Sequence, residues 1–342
     1  MPNNSTKILF LSTLISGVLI SLCANSWMGA WLGLEINLLS FIPLLSSNMN
    51  MFSTEASLKY FLIQAVASAA LLFLILFKIN THEMFFFIKK SDWNNLIMTP
   101  LLMKIACAPF HWWMPSVMEG LSWSNCFIIL SLQKIAPLML ISYMLTNSYF
   151  IQFMIIISTT TGAIGGLNQI SLRKIFSFSS INHIGWMLMA MMMGSNLWLM
   201  YFLIYTINLT VIISLAAFTN WSFISQTFNS LNDNKIIKLT LFTAMLSLGG
   251  LPPFLGFFPK WITIQFMIQN LAILTAMILI MTSLLTLYYY MRMMFTTLTI
   301  TNTENIWISM NQNKHNHSKI TMFFLSILLI GMLVCTLILL IY

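Results

Sequence analysis

Long apolar runs separated by short polar stretches organise the whole chain. The runs extend over roughly 15–25 residues without alternation of polar and apolar positions, whereas a transmembrane strand alternates over about ten residues. Runs of this length cross a bilayer as α-helices. The pattern therefore predicts an all-α polytopic membrane protein and argues against a transmembrane barrel.

About eleven membrane-spanning helices are predicted along the 342 residues. Their ranges are 8–24, 26–45, 56–78, 94–110, 124–146, 148–167, 174–194, 197–219, 237–268, 272–297 and 320–341. The stretch 111–123, which includes Trp112 and Trp113, predicts a short interfacial helix, since indole rings favour the membrane–water boundary. No separate soluble domain is evident, so residues 1–342 are interpreted as a single transmembrane domain.

The ninth span cannot be one straight helix. It contains Gly249, Gly250, Pro252, Pro253 and Gly256. Glycine and proline together interrupt the hydrogen-bond ladder, and a helix that is interrupted inside a bilayer needs protein or water around its freed backbone groups. We therefore predict a broken helix here.

The fourth and ninth spans have a feature in common, because each carries a lysine close to proline. Lys104 lies midway along span 4, five residues before Pro109, and Lys260 follows Pro259. Spans that are five apart run through the membrane in opposite directions, so matched broken and charged helices are typical of inverted-repeat transporters. Chance is the alternative explanation, since proline is frequent in transmembrane helices.

The predicted fold is thus antiporter-like, with two inverted five-helix repeats that contain broken helices. The repeat units are about 8–146 and 148–297, and a C-terminal helix, 320–341, follows them.

Basic residues are distributed unevenly between the two sides of the predicted bundle. The side that holds the N-terminus collects Lys7, Lys59, Arg173, Lys174, Lys235, Lys238, Arg292, Lys314 and Lys319. The opposite side holds Lys78, Lys89 and Lys90. The positive-inside rule then places the N-terminus on the side of synthesis and the C-terminus on the opposite side.

Composition changes how the charge is interpreted. The chain is 59% hydrophobic and only 6% charged, with a mean hydropathy of +0.88, so its net charge of +8 reflects membrane topology and not nucleic-acid binding. There is no glycine-rich phosphate loop, no dinucleotide fingerprint and no His/Cys metal spacing. We therefore expect no cofactor and no metal in this chain, and the energy for moving ions must come from a gradient or a partner.

Four ionisable residues within apolar spans are the candidate functional site: Glu35, Lys104, Lys134 and Lys260. One charge at the bilayer centre costs roughly 2.5–3.5 kcal/mol, so four would cost on the order of 10–14 kcal/mol without compensation. Such residues usually mark an ion or proton path, although structural ion pairs would also place them there. A lysine that alternates between a carboxylate partner and an apolar environment takes up and releases a proton.

His183 is the fifth candidate, in the first half of span 7, after several serines and Asn182. An imidazole can relay protons near neutral pH. A hydrogen-bonded structural histidine is the alternative interpretation.

Several motifs resemble one known family, that of NADH-ubiquinone oxidoreductase chain 2, the mitochondrially encoded antiporter-like membrane-arm subunits of respiratory complex I. They are Asn37–Leu44 after Glu35, Ala108–Pro115, Gly165–Gln169 followed by Leu172–Lys174, and Leu246–Trp261. The resemblance covers nearly the whole chain, and the abundance of Met, Asn and Ile resembles insect mitochondrial sequences.

The resemblance implies a proton-pumping subunit of the mitochondrial inner membrane with its N-terminus in the matrix and its C-terminus in the intermembrane space. It implies that Glu35 and Lys104 form the family's glutamate–lysine pair, that Lys134 is the central lysine and that Lys260 lies near the proton exit. His183 matches a histidine on the central hydrophilic axis. Position 106 is Ala where the family has Gly, which we expect to affect helix packing slightly.

The resemblance also implies partners: chains 4 and 4L, accessory subunits, and phospholipids such as cardiolipin, but no nucleic acid. Flavin, iron–sulfur clusters and quinone are expected in other subunits, so the chain would belong to an H⁺-translocating NADH:ubiquinone reductase without redox chemistry of its own. Two alternatives compete. One is a free-standing cation/proton antiporter with the same fold, and the other is a purely structural membrane spacer.

Overall fold

The computed structural model describes residues 4–46, 50–81, 90–145, 148–226, 235–295, 322–326 and 328–329. The helices with defined bounds are α1 (Asn4–Cys23), α2 (Trp27–Leu45), α3 (Met51–Thr81), α4 (Lys90–Ile105), α5 (Trp113–Glu119), α6 (Trp123–Leu130), α7 (Leu132–Met144), α8 (Tyr149–Leu167), α9 (Leu172–Met193), α10 (Ser195–Thr219), α11 (Lys235–Gly249), α12 (Phe257–Gln269) and α13 (Ile273–Phe295). In these described ranges the β-structure is limited to one bridge between Ser171 and Phe223.

The predicted all-α membrane fold is confirmed. Within the described residues, eight helical segments are long and apolar enough to cross a membrane, counting α6 and α7 as one segment. The predicted span 320–341 lies almost entirely outside the described residues, so the total of eleven spans stays a prediction. The predicted break in span 9 is present, since α11 ends at Gly249 and α12 begins at Phe257.

Span 4 was wrongly predicted to be continuous, with Lys104 at its middle. Helix α4 ends at Ile105, so Lys104 lies in its last turn, and tight turns lead to α5. Ala106 adopts the left-handed conformation, φ 65°. Its N–H bonds the Met103 carbonyl and the N–H of Cys107 bonds that of Leu102, which is the Schellman arrangement that ends helices. The glycine expected at position 106 thus concerns this backbone conformation and not helix packing.

Span 5 was also predicted as one helix, 124–146, but it divides in two. Helices α6 and α7 meet at Ser131, whose backbone is distorted to φ −117°, ψ −79°. The Ser131 hydroxyl donates to the Phe127 carbonyl at 2.6 Å, a bond that competes with the helix ladder and bends helices. Pro137 lies inside α7, which continues through it.

The predicted interfacial helix 111–123 is shorter than expected, and only one of the adjacent residues Trp112 and Trp113 is exposed. Helix α5 covers only Trp113–Glu119. Trp112 is 79% exposed, whereas Trp113 is buried and its indole N–H donates to the Met103 carbonyl at the end of α4. The segment therefore packs against the end of α4 as well as presenting one indole outward.

The chain divides into two compact units, residues 1–158 and 159–342. The boundary lies inside α8 and differs from the predicted repeat boundary, so the inverted repeat stays a prediction. Helix starts nevertheless recur at a separation of 144 or 145 residues: Asn4 and Tyr149, Trp27 and Leu172, Met51 and Ser195, Lys90 and Lys235, Trp113 and Phe257. Helices α1–α5 and helices α8–α12 therefore follow the same order, in which three long helices are followed by two shorter ones.

Close backbone contacts at glycine fix one helix pair in the first unit. A Cβ on Gly33 of α2 would lie 2.6 Å from the Ser21 nitrogen of α1, and one on Gly17 would lie 2.8 Å from the Asn37 nitrogen. Small residues at a crossing let two backbones approach closely, which is how membrane helices gain packing energy.

In the second unit α9 occupies the centre. Seventeen of its 22 residues are buried, including Ser177, Ser179, Ser180, Asn182 and His183. Helices α10, α12 and α13 all contact it. Polar side chains on a buried helix need partners inside the protein, so this helix gathers the polar groups of the unit.

Candidate functional site

In the first unit, α2 and α4 bring a carboxylate close to a buried ammonium. Lys104 is 7% exposed and Glu35, on α2, is half-buried. The Glu35 carboxylate lies within electrostatic range of the Lys104 ammonium. The structure records no direct ion pair between these two described residues.

A small polar cavity adjoins Lys104 and has room for about one water molecule. Its lining consists of Leu34, Asn37, Leu38, Tyr60, Gln64, Lys104, Gln133 and Pro137. Gln64 of α3 donates to the Lys104 carbonyl at 3.3 Å, and Gln133 of α7 donates to Asn37 of α2 at 2.9 Å. Uncharged amides thus surround the lysine without neutralising it.

Lys134 lies on α7, directly after Gln133 and three residues beyond the helix break at Ser131. It is 1% exposed, which makes it the most deeply buried of the predicted lysines. Helices α4 and α7 contact each other, and Gln133 of α7 bonds Asn37 of α2, so Glu35, Lys104 and Lys134 lie on neighbouring helices of the first unit. A common path through them stays a prediction.

In the second unit, Lys260 lies in the first turn of α12 and reaches back to the end of α11. Its ammonium donates to the carbonyls of Gly249 at 2.8 Å and Leu248 at 3.4 Å. The ammonium also lies 5.7 Å from the centre of the Trp186 ring, within the range of a cation–π contact. With 5% exposure, the charge is held by backbone dipoles and an aromatic face.

His183 is buried on α9 and makes a side-chain hydrogen bond. Its Nδ1 lies 2.9 Å from the Tyr201 hydroxyl of α10, and its ring lies 5.0 Å from that of Tyr205. His183 and Trp186 are three residues apart and share one face of α9. The second unit therefore gathers His183 and Lys260, the latter through Trp186, around the same helix.

Sequence reasoning missed the uncharged polar residues of both regions. In the first unit these are Asn37, Gln64 and Gln133, and in the second they are Tyr201, Tyr205, Tyr289, Tyr290 and Asn208. Asparagine and glutamine within apolar spans are the signal that could have found the first group. The tyrosines gave no comparable signal, because tyrosine is also common at the membrane interface.

The described residues contain no group of three or more His, Cys, Asp and Glu side chains that could hold a metal ion. The predicted site residues are amines, an imidazole and a carboxylate, which are groups that bind and release protons.

Comparison with known proteins agrees with this fold. Residues 24–286 match the family model of the transmembrane NADH:quinone oxidoreductase/Mrp antiporter proteins. Among curated proteins, NADH-ubiquinone oxidoreductase chain 2 of Aedes aegypti is 50% identical over 100% of both chains. That of Locusta migratoria is 44% identical over 92% of each.

Two solved structures share the fold at low sequence identity. One is respiratory complex I from Thermus thermophilus with bound aureothin, with a TM-score of 0.81, 21% identity and coverage of 97% of this chain and 79% of that one. The other is the Mrp complex from Dietzia sp. DQ12-45-1b, with a TM-score of 0.69, 17% identity and coverage of 84% and 59%.

Proposed function

Because the chain belongs to the NADH-ubiquinone oxidoreductase chain 2 family, we propose that it is an antiporter-like, proton-translocating core subunit of respiratory complex I. The observation that carries the mechanism is the burial of three lysines, Lys104, Lys134 and Lys260, at 7%, 1% and 5% exposure. Buried amines in a membrane protein of this fold serve proton transport, since each is costly to keep.

The proposed relay starts at the Glu35–Lys104 pair. A disturbance from a neighbouring subunit changes the distance between carboxylate and ammonium, and Lys104 then releases its proton. Lys134 and Lys260 carry the proton onward, and it leaves on the side opposite the N-terminus. His183 takes part as a titrating group or holds the polar centre of the second unit in place.

The energy needed to move a proton across the membrane is similar to the energy of the hydrogen bonds that a buried lysine makes. Moving one charge across 100 mV costs about 2.3 kcal/mol. A hydrogen bond to a charged group contributes about 1.5–3 kcal/mol, and Lys260 makes two of them to carbonyls. Gaining or losing the contacts of a single lysine is therefore enough to shift a proton against a potential of this scale.

The rest of the assignment follows from the same membership. We propose a multi-pass location in the mitochondrial inner membrane, with the N-terminus in the matrix and the C-terminus in the intermembrane space. The excess of basic residues on the N-terminal side supports that orientation. Chains 4 and 4L, accessory subunits and cardiolipin are the proposed neighbours, and flavin, iron–sulfur clusters and quinone belong to other subunits.

The test is Lys134→Met in the assembled complex. Methionine keeps the unbranched shape of lysine but cannot carry a proton, so we expect fewer protons pumped per electron. NADH oxidation itself should continue, because its electron acceptors lie in other subunits. Lys59→Met is the matched control, since Lys59 is an exposed partner of Glu55. An unchanged proton-to-electron ratio in correctly assembled Lys134→Met complex would rule out the relay.

A free-standing cation/proton antiporter is the second candidate, supported by the likeness to the Mrp complex. Its discriminating property is assembly. A native gel of mildly solubilised membranes, stained for NADH oxidation and probed for this chain, separates the two. Co-migration with an NADH-oxidising band much larger than 39.1 kDa supports the complex I assignment, and migration away from that activity supports the antiporter.

A further inference from the structure

The C-terminal end of α11 has all of its last carbonyls accounted for. A helix leaves four carbonyls without intrahelical partners, here those of residues 246–249. Gly250 N–H bonds the Ser247 carbonyl and Leu251 N–H bonds the Leu246 carbonyl, which completes a Schellman motif. The remaining carbonyls, of Leu248 and Gly249, accept from the ammonium of Lys260. Lys260 therefore closes a helix end that the backbone alone closes only in part.

Gly250 makes room for this arrangement. A Cβ at Gly250 would lie 2.8 Å from Cδ, 3.0 Å from Nζ and 3.1 Å from Cε of Lys260. Real Cβ atoms do not approach other carbons so closely, so a methyl group at this position would displace the lysine side chain. The backbone is left-handed here, φ 80°, which is the second reason for glycine.

The first unit provides an internal comparison for the backbone effect alone. Ala106 stands 144 residues before Gly250, at the same place after α4, with φ 65° and the same pair of Schellman hydrogen bonds. This fold therefore accommodates a methyl group at a left-handed helix end. The requirement for glycine at position 250 comes mainly from the Lys260 side chain.

We propose that Gly250 is a positioning residue for Lys260. Its bare Cα lets the lysine stem lie against it, and this contact places the ammonium on the carbonyls of Leu248 and Gly249 and near the face of Trp186. The functional consequence rests on the proposed role of Lys260 in proton transfer, whereas the positioning itself can be observed without it.

The adjacent glycine offers a matched control. A Cβ on Gly249 would meet its nearest atoms, in Leu287 and Tyr290, at 3.6–3.7 Å, which is ordinary contact. Gly250→Ala and Gly249→Ala therefore add the same methyl group to neighbouring residues at one helix end, and only the first meets Lys260.

The experiment determines electron cryo-microscopy structures of the wild-type complex and of both variants, and measures NADH-driven turnover and the proton-to-electron ratio. In Gly250→Ala we expect Lys260 Nζ to move out of hydrogen-bonding distance of the Gly249 carbonyl. We also expect NADH-driven turnover to fall by a factor on the order of ten, since misplacing a reacting group by about 1 Å can cost up to 100-fold in rate. Gly249→Ala should keep the hydrogen bond from Lys260 Nζ to the carbonyl of residue 249. Lys260 Nζ remaining on both carbonyls in Gly250→Ala overturns the proposal.

Two further variants, Gly250→Ala combined with Lys260→Ala and Gly250→Asn, test the proposal if Gly250→Ala alone does not assemble. If Gly250→Ala fails to assemble, the double variant with Lys260→Ala should restore assembly, because the stem that collides with the methyl group is gone, and failure of the double variant overturns the proposal. Gly250→Asn tolerates left-handed backbone but keeps the Cβ, so it should displace Lys260 as alanine does. A displaced Lys260 with unchanged pumping would leave the positioning role intact and count only against Lys260 as a proton carrier.

Discussion

The hydrogen bond between His183 and Tyr201 supports a prediction that separates the two roles left open for the histidine. Tyr201→Phe removes one oxygen atom and no carbon, at a residue that is 1% exposed. It deletes the 2.9 Å contact with Nδ1 and leaves the ring packing in place. Because which ring nitrogen carries the proton depends on what the other nitrogen contacts, the change also removes a constraint on the tautomer of His183.

The magnitude follows from burial. A buried neutral hydrogen bond contributes about 0.5–1.5 kcal/mol, which corresponds to roughly a two- to tenfold change in an equilibrium or rate constant. We therefore expect the purified complex carrying Tyr201→Phe to lose activity on heating about two- to tenfold faster than wild type. Tyr288→Phe is the control, because Tyr288 is 59% exposed and its substitution should change stability by less than about 0.5 kcal/mol.

The pH dependence of pumping then distinguishes the roles. If His183 titrates during turnover, Tyr201→Phe shifts the pH profile of NADH-driven proton pumping as well as the rate of heat inactivation. If His183 is structural, only the heat inactivation changes. Equal inactivation rates for Tyr201→Phe and Tyr288→Phe would refute the reasoning, since the buried bond would then contribute nothing.

Two predictions concern the framework that holds these residues. Gly33→Ala should lower the amount of assembled complex on native gels, at a cost of about 1–3 kcal/mol, because its Cβ would lie 2.6 Å from the Ser21 nitrogen; Gly194→Ala, with its nearest atom at 3.5 Å, should match wild type. Ala106→Val should accelerate heat inactivation because a β-branched residue is poorly tolerated at φ 65°. Ala106→Gly should stabilise the protein slightly, by about 0.2–1.2 kcal/mol, since relief of about 1–2 kcal/mol of backbone strain exceeds the loss of about 0.8 kcal/mol from a buried methyl group.

The sequence was sufficient to place the charged residues inside the protein. Lys104, Lys134 and Lys260 lie in apolar runs, and a charge in such a run must face the interior of the bundle because lipid cannot solvate it. The break before Lys260 was equally predictable from the sequence, since it contains several glycines and prolines. Glycine weakens a helix through its backbone freedom, and proline removes a hydrogen-bond donor.

The end of α4 at Ile105 and the division between α6 and α7 at Ser131 could not be predicted from the sequence in the same way. Alanine favours helix interiors, so the residue at position 106 does not itself indicate that it takes the left-handed conformation and ends the helix. Serine also occurs within membrane helices, and the bond of Ser131 to Phe127 follows from local geometry that composition does not specify. In both places tertiary packing selected a conformation that local preference only permits.

The sequence indicated a repeat because Lys104 and Lys260 each lie near proline, but at a separation of 144 residues Lys104 corresponds to Leu248. Around the breaks, Pro109, Phe110 and Pro115 recur 144 residues later as Pro253, Phe254 and Pro259, but Ser116 recurs as Lys260. The residue that differs is the one that carries the charge.

That difference changes how the two helix ends are held. The Lys104 carbonyl in α4 and the Leu248 carbonyl in α11 occupy equivalent positions 144 residues apart. The first accepts from the Gln64 amide at 3.3 Å, and the second accepts from the Lys260 ammonium at 3.4 Å. An amide does not titrate, whereas a hydrogen bond from an ammonium is roughly twice as strong as one from a neutral donor. Within the described residues, the end of α4 is therefore held independently of proton transfer at this carbonyl, while the end of α11 is held by a group that is itself proposed to carry the proton.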